Sequence, residues 1–191
     1  TPYIYQGEEI GMTNPHFTTI EQYRDVESHN MYNELLAQGR DAEELLAILA
    51  SKSRDNSRTP MQWDASPNAG FTTGEPWIGV SHNFADINVE RALTDPDSVF
   101  YAYQQLIALR KSEPVLTWGD YQDLLPAHPS LWCYRRQWQG QTLLVAANLS
   151  GEPQDWEPPA GSTDGEVLMS NYATPAGITL RPFEAIWWLQ R

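Results

Sequence analysis

One cysteine, Cys133, stands alone in 191 residues. No internal disulfide can form, and a reducing compartment, the cytoplasm, fits best. No apolar run approaches the roughly 18 residues that a membrane-spanning helix needs. Basic residues are scarce: 12 Lys and Arg stand against 25 Asp and Glu, a net charge of −13. That balance disfavours nucleic acid and anionic membrane, which both require a basic surface to neutralise phosphate. The four histidines (His16, His29, His82, His128) are scattered, with no H-x-x-x-H or Cys/His spacing, so a zinc site is not expected. A G-x-S-x-G elbow and a Gly-rich phosphate loop are both missing. The expectation is a chain without metal or cofactor.

What is abundant is aromatic and polar. The chain carries 8 Trp and 9 Tyr, which serve cores first and sugar-stacking platforms second. One run concentrates chemistry: RDNSRTPMQW, Arg54 to Trp63. It holds two arginines, an Asp, an Asn, a Gln and a Trp, and its Thr-Pro pair disfavours helix, so it reads as a loop. Its side chains suit hydroxyls and carboxylates, and Trp63 suits the face of a sugar ring. A purely structural loop, with arginines paired to carboxylates, accounts for the same residue types. Lys52, Arg54 and Arg58 gather positive charge that fits an anionic group. They equally fit cations following a helix C-terminus.

Along the chain, Tyr3, Ile4 and Tyr5 read as a buried strand beginning at Thr1, and residues 1–12 as that strand with its polar turn. A domain that starts in mid-strand is expected to be part of a larger one. A helix is predicted over Val26–Gln38, stopped by Gly39. A second starts with Asp41 as N-cap and Glu44 at N3, and Leu45, Leu46, Ile48 and Leu49 form its apolar face. Residues 64–96, punctuated by Gly and Pro, read as a long ordered loop. Asp97 is expected to cap a helix running to Lys111, with Pro114 ending it. Short alternating segments follow at Leu116–Leu125, Leu131–Trp138, Gln141–Leu149, Glu166–Ser170 and Ile178–Leu189. Gln139-Gly140 reads as a hairpin turn. These segments predict an antiparallel sheet domain.

Glu8 and Glu9 invite reading as an acid–base pair. Glycoside hydrolysis needs two carboxyls about 5 to 9 Å apart, whereas adjacent strand residues point to opposite faces. One of them, Glu8, is a candidate for lining a site; the alternative is pairing with an arginine. Cys133 alternates into an apolar strand and is expected in the core.

Five separated motifs then carry a resemblance: YIYQGEEIGMTNP, YRDVESHNMY, SRDNSRTPMQWD, NAGFTTGEPWI and TLRPFEAIWWLQ. Together they resemble the α-glucosidase group of the α-amylase superfamily, over essentially the whole chain. The resemblance implies an α+β fragment, the last strand and helices of a (β/α)8 barrel with its long loop insertion, followed by an antiparallel β-sandwich. Residues 1–113 would close the barrel domain and residues 114–191 would form the sandwich. Residues 1 to 10 would be the eighth barrel strand, Asp97 to Lys111 the last barrel helix and Thr13 to Pro96 the insertion. The Arg of the D-N-x-R run, Arg58, would lie near the leaving-group sugar, with Asp55, Asn56 and Gln62 in the same loop and Arg54 beside them. None of the family's motifs for its three reactive carboxylates occurs here, so no catalytic residue is expected in these residues and the missing N-terminal barrel portion would be the chain's partner. The implied activity of the whole enzyme is retaining hydrolysis of an α-glucosidic bond, with trehalose 6-phosphate or an isomaltose-type sugar as substrate.

A reading from another class is a stand-alone carbohydrate-binding module with Trp132, Tyr134 and Trp138 as its platform. The opposing expectation is that this row packs in the sheet core. Solvent exposure of the three rings discriminates between them.

Overall fold

The computed structural model describes residues 2–175 and 177–191. The chain divides between Tyr103 and Gln104 into two compact units.

The first unit is helix and loop. Helix α1 (Val26–Ala37) starts at Asp25, whose carboxylate accepts the Ser28 N–H. Helix α2 (Ala42–Lys52) starts at Asp41, which accepts the Glu44 N–H at 3.0 Å. Both follow the expected cap logic: an N-cap carboxylate satisfies a backbone donor that the helix leaves unpaired. Leu45 and Leu49 bury the inner face of α2. Leu49 joins Phe17, Tyr23 and Ile78 in a core where Phe17 and Tyr23 meet edge to face at 5.3 Å. Ile10, Met61 and Ala92 form a smaller cluster.

Two expectations fail in this unit. Residues 2–5 form no strand: Tyr3 is 91% exposed, Ile4 and Tyr5 are about half exposed, and a single-turn 3-10 helix (Glu8–Ile10) follows. A strand needs a neighbour for its backbone donors and acceptors, and among the described residues none pairs with this segment. The expected start at Thr1 lies outside the described residues. The segment read as one loop, 64–96, also holds helix α3 (Val89–Thr94), capped by Asn88, which accepts the Arg91 N–H at 2.9 Å. Six residues are too few to show helical periodicity, so only the cap residue signalled it.

Helix α4 (Val99–Ser112) runs close to its expected range. It begins after Ser98, whose carbonyl accepts the Ala102 N–H, rather than on an Asp97 cap.

The second unit is built on an antiparallel five-stranded sheet. Its strands are β1 (Asp120–Asp123), β2 (Leu131–Trp138), β3 (Gln141–Asn148), β5 (Glu166–Ser170) and β7 (Ala185–Gln190), in the order β1-β2-β3-β7-β5. A two-stranded ribbon pairs β4 (Gln154–Asp155) with β6 (Thr179–Leu180). The β2–β3 hairpin turns at Gln139 (φ 46°) and Gly140 (φ 84°), the doubly left-handed geometry that fits the right-handed twist of the strands. Side chains alternate across β2 and β3. Leu131, Cys133, Leu144 and Ala146 meet Trp156 and Leu180 on one face. Leu143 and Val145 meet Val115, Leu116 and Leu189 on the other. Each fully buried aliphatic side chain contributes about 1.5–3 kcal/mol.

The sheet differs from expectation at two places. Leu116–Leu125 is not one strand: Pro114 opens a helical turn, α5 (Val115–Trp118), and only Asp120–Asp123 pairs. Ile178–Leu189 is broken between β6 and β7 around Pro182, which has no N–H to donate to a ladder. The aromatic row of β2 is split. Tyr134 and Trp138 pack against the Val115–Leu189 cluster, while Trp132 is 48% exposed and donates its Nε1–H to the Tyr121 hydroxyl at 3.3 Å.

Candidate functional site

Helix α2 delivers the chain into the Arg54–Trp63 loop, which opens with a 3-10 turn (Arg54–Ser57). The loop is anchored through its carboxylate. Asp55 has no exposed surface, and its Oδ2 accepts the backbone N–H of Arg24 at 2.6 Å and of Asp25 at 2.8 Å. Ser53 Oγ accepts the Asp55 N–H at 3.2 Å and lies 2.8 Å from Ser28 Oγ. The loop is thereby fastened to the start of α1.

Arg58 sits at the centre of this arrangement. Its Nη1 donates to Asp25 Oδ1 at 3.2 Å and to Asp55 Oδ1 at 3.4 Å, while its side chain remains 39% exposed. Among the described residues no acceptor bonds its Nε or Nη2. Tyr23 is fully buried, its hydroxyl without a hydrogen-bond partner among the described residues, and burial followed by the charge of Asp55 pushes its pKa up.

The other sequence candidates separate by role. Asn56 is part-buried and donates from Nδ2 to the carbonyls of Leu49 and Ala50 at 3.1 and 3.0 Å, closing the C-terminus of α2. Arg54 points outward to Glu27 at 2.8 Å. Gln62 is fully buried, and its Nε2 donates to the Ile87 carbonyl and to Asn83. Its main-chain carbonyl accepts the Val89 N–H at the start of α3. Glu8 takes the Tyr5 N–H at 3.2 Å and the Tyr103 hydroxyl at 3.4 Å. Burial, then the charge of Glu8, pushes the Tyr103 phenol up. No arginine meets Glu8 or Glu9 among the described residues, and Glu9 instead accepts the Gly7 N–H at 2.8 Å. Because both glutamates lie in a 3-10 turn, strand alternation does not govern them. The Tyr5 hydroxyl donates to the Ser57 carbonyl at 2.9 Å, bringing the segment of Glu8 against the loop of Arg58.

The structure thus joins Arg58 and Asp55, and it adds Asp25, which the sequence reading missed. The signal was present: Asp25 stands directly before the predicted helix, in the N-cap position. Trp63 is half exposed. The cavity beside Asp25, lined by Glu27, Ser28, Met31, Lys52 and Arg54, measures about 190 Å³, below the usual 300–1,000 Å³ of ligand pockets. Taken alone these residues form one wall rather than an enclosed site. Among the described residues no group of three or more His, Cys, Asp or Glu could hold a metal ion, and no helix is long and apolar enough to cross a membrane.

Comparison with known proteins gives the wall its context. Residues 1–119 match the alpha-amylase catalytic domain. The chain is 68% identical over its whole length to trehalose-6-phosphate hydrolase of Escherichia coli, covering 35% of that protein. It is 50% identical to an oligo-1,6-glucosidase of Halalkalibacterium halodurans, over 97% of this chain and 34% of the relative. The structure of trehalose-6-phosphate hydrolase from Bacillus licheniformis superposes with a TM-score of 0.93 at 47% identity, over 99% of this chain and 36% of that one. The chain spans about a third of the length of the curated relatives it matches. It belongs to the alpha-amylase family.

Proposed function

We propose that the protein carrying this chain is a retaining glycoside hydrolase that cleaves trehalose 6-phosphate to glucose and glucose 6-phosphate. The observation that carries this reading is the 68% identity to the Escherichia coli trehalose-6-phosphate hydrolase, against 50% to the oligo-1,6-glucosidase. In this reading the nucleophile and the acid/base lie in the part of the enzyme outside these residues. They cleave the bond through a covalent glucosyl-enzyme and an oxocarbenium-like transition state. This chain supplies walls and part of the leaving-group subsite.

The residue roles follow from the chemistry of the wall. Arg58 donates to the leaving-group sugar, with Asp55 as its fixed counter-charge. Asn56 and Gln62 hold the loop's shape through buried amide bonds. Arg54 and Glu8 stand at its edges. Tyr3, Ile4 and Tyr5 belong to the eighth barrel strand, completed by neighbours elsewhere in the enzyme, which accounts for their exposure, and the strand ends before the Glu8–Ile10 turn. Residues 1–113 close the barrel domain, and residues 114–191 form a β-sandwich of the five-stranded sheet and the β4–β6 ribbon. A charged sugar phosphate and a lone buried thiol both fit a cytoplasmic enzyme.

An oligo-1,6-glucosidase is the second reading, favoured by its identity over nearly the whole chain. The test is the intact enzyme assayed on trehalose 6-phosphate and on isomaltose. A higher kcat/KM on trehalose 6-phosphate is expected; preference for isomaltose replaces the first reading with the second.

A further inference from the structure

We propose that His16 and His82 form a binding site for a divalent transition-metal ion, Zn2+ or Cu2+, which clips two distant segments of the first unit together. Water completes the coordination. The proposal does not depend on which sugar the enzyme cleaves. Pro15 and His82, which meet at this site, stand 67 residues apart in the chain. No short ligand spacing joins positions so distant, which is why the sequence pattern pointed away from zinc.

Three observations carry it. First, the rings are already together: the centroids of His16 and His82 lie 5.9 Å apart, with the planes at 62°. Two imidazoles on one ion, at metal–nitrogen distances of about 2.0–2.1 Å, hold their ring centres about 5 to 6 Å apart. Second, the tautomer of His82 is set. Its Nδ1 lies 3.2 Å from the Pro15 carbonyl oxygen. A carbonyl only accepts, so Nδ1 carries the proton and Nε2 keeps its lone pair. A ring N–H given to a backbone carbonyl is the usual arrangement of a metal-ligating histidine. Third, the surrounding chain holds the pair in place. His16 has a φ of 53° and lies between Pro15 and Phe17, both buried. Left-handed backbone is uncommon for a residue with a side chain and persists where its neighbours fix it. Beside the pair, Asn83 Nδ2 donates to Thr13 Oγ1 at 2.8 Å, a second tie between the same two segments. Both histidines are exposed, so an ion and its waters reach them. Imidazole nitrogen favours zinc and copper, whereas magnesium and calcium take oxygen ligands.

The experiment uses the intact enzyme, stripped of metal by a chelator, and the variants His16→Asn and His82→Asn. Asparagine tolerates left-handed backbone at position 16, and at position 82 its amide replaces the donor to the Pro15 carbonyl. Zn2+, Cu2+ and Mg2+ are titrated separately by calorimetry, and thermal transitions are recorded with and without Zn2+. The wild-type enzyme is expected to take up Zn2+, and Cu2+ more tightly, in the usual order for nitrogen ligands. Each substitution should weaken Zn2+ uptake by more than about ten-fold. Each should also abolish the rise in transition temperature that Zn2+ gives the wild type. No uptake by the wild type at about 1 mM Zn2+ overturns the proposal. Variants that bind Zn2+ as the wild type does overturn it too, as does Mg2+ binding as tightly as Zn2+, the mark of a carboxylate site. A second measurement needs no variant and decides where one fails to fold. Diethyl pyrocarbonate modifies histidine nitrogens, and peptide mass mapping locates the products. Zn2+ should slow modification of His16 and His82 together and leave His128 unchanged. Protection of neither, or of all three alike, refutes the site.

Discussion

Asp55 accepts the backbone N–H of Asp25 at 2.8 Å, so a side chain of the loop after α2 caps the main chain entering α1. The same oxygen takes the Arg24 N–H. Removing this carboxylate leaves two backbone donors without acceptors and Asp25 facing Arg58 alone. Asp55→Leu is therefore expected to cost about 3–5 kcal/mol, the range for breaking a buried charged network. Asp55→Asn keeps one acceptor oxygen and should cost less, about 1–3 kcal/mol. Urea denaturation of the intact enzyme measures both. Equal, near-zero shifts in midpoint would show that the loop does not depend on this anchor.

Cys133 is fully buried in the sheet, and burial foremost pushes its thiol up to about 11. The thiolate is the reactive species, so at pH 8 the folded chain should resist a thiol reagent such as Ellman's, and denaturant should release one reactive thiol per chain. The stability consequence has a definite sign. Above the ordinary thiol value of 9.0 the unfolded chain ionises, and the folded chain does not until about 11. Stability from this group is complete below pH 9 and is lost as pH rises through that window. Rapid modification of the native protein at pH 8 would contradict the burial.

Two glycines separate steric from conformational need. A Cβ on Gly165 would stand 2.5 Å from the Leu189 carbonyl oxygen and 2.7 Å from its carbon, both backbone. Gly165→Ala must therefore push β5 from β7, with an expected cost of about 1–3 kcal/mol. A Cβ on Gly140 meets nothing within 4 Å, yet its φ of 84° disfavours a side chain. Gly140→Ala should cost only about 1 kcal/mol. Thermal melts of the two variants should rank in that order, and the reverse ranking would show that the hairpin turn, not strand spacing, limits the sheet.

Regular elements with strong local signals were legible before the structure. The alternation of Leu131–Trp138 returned as β2 over the same residues, and the expected cap Asp41 marks where α2 begins. What was not legible depends on partners. Tyr3-Ile4-Tyr5 has strand composition but finds no strand among the described residues to pair with. Trp132 shares a face with Tyr134 and Trp138, yet β2 carries it beyond the cluster that covers the other two. In the loop, residue types announced hydroxyl and carboxylate chemistry, and the Asp55–Arg58 pair is close in sequence. Asp25 reaches Arg58 from 33 residues away, and no spacing rule finds such a pair.

The isolated 191 residues are expected to hydrolyse no glycoside. A retaining site needs two carboxyl groups about 5–5.5 Å apart across the scissile bond, one ionised and one free to give its proton. The close carboxylates of the first unit are already engaged. Asp55 and Asp25 are committed to Arg58 and to backbone donors. Glu8 and Glu9 accept main-chain N–H groups of their own turn, and Glu8 also takes the Tyr103 hydroxyl. Spending either as an acid or a nucleophile would undo the contact that places it. Purified chain, incubated with trehalose 6-phosphate and with p-nitrophenyl α-glucoside, should release no glucose and no nitrophenol above the buffer rate. Turnover that survives repurification, and that falls on Glu8→Gln or Glu9→Gln, would assign chemistry to this segment and overturn its role as a wall.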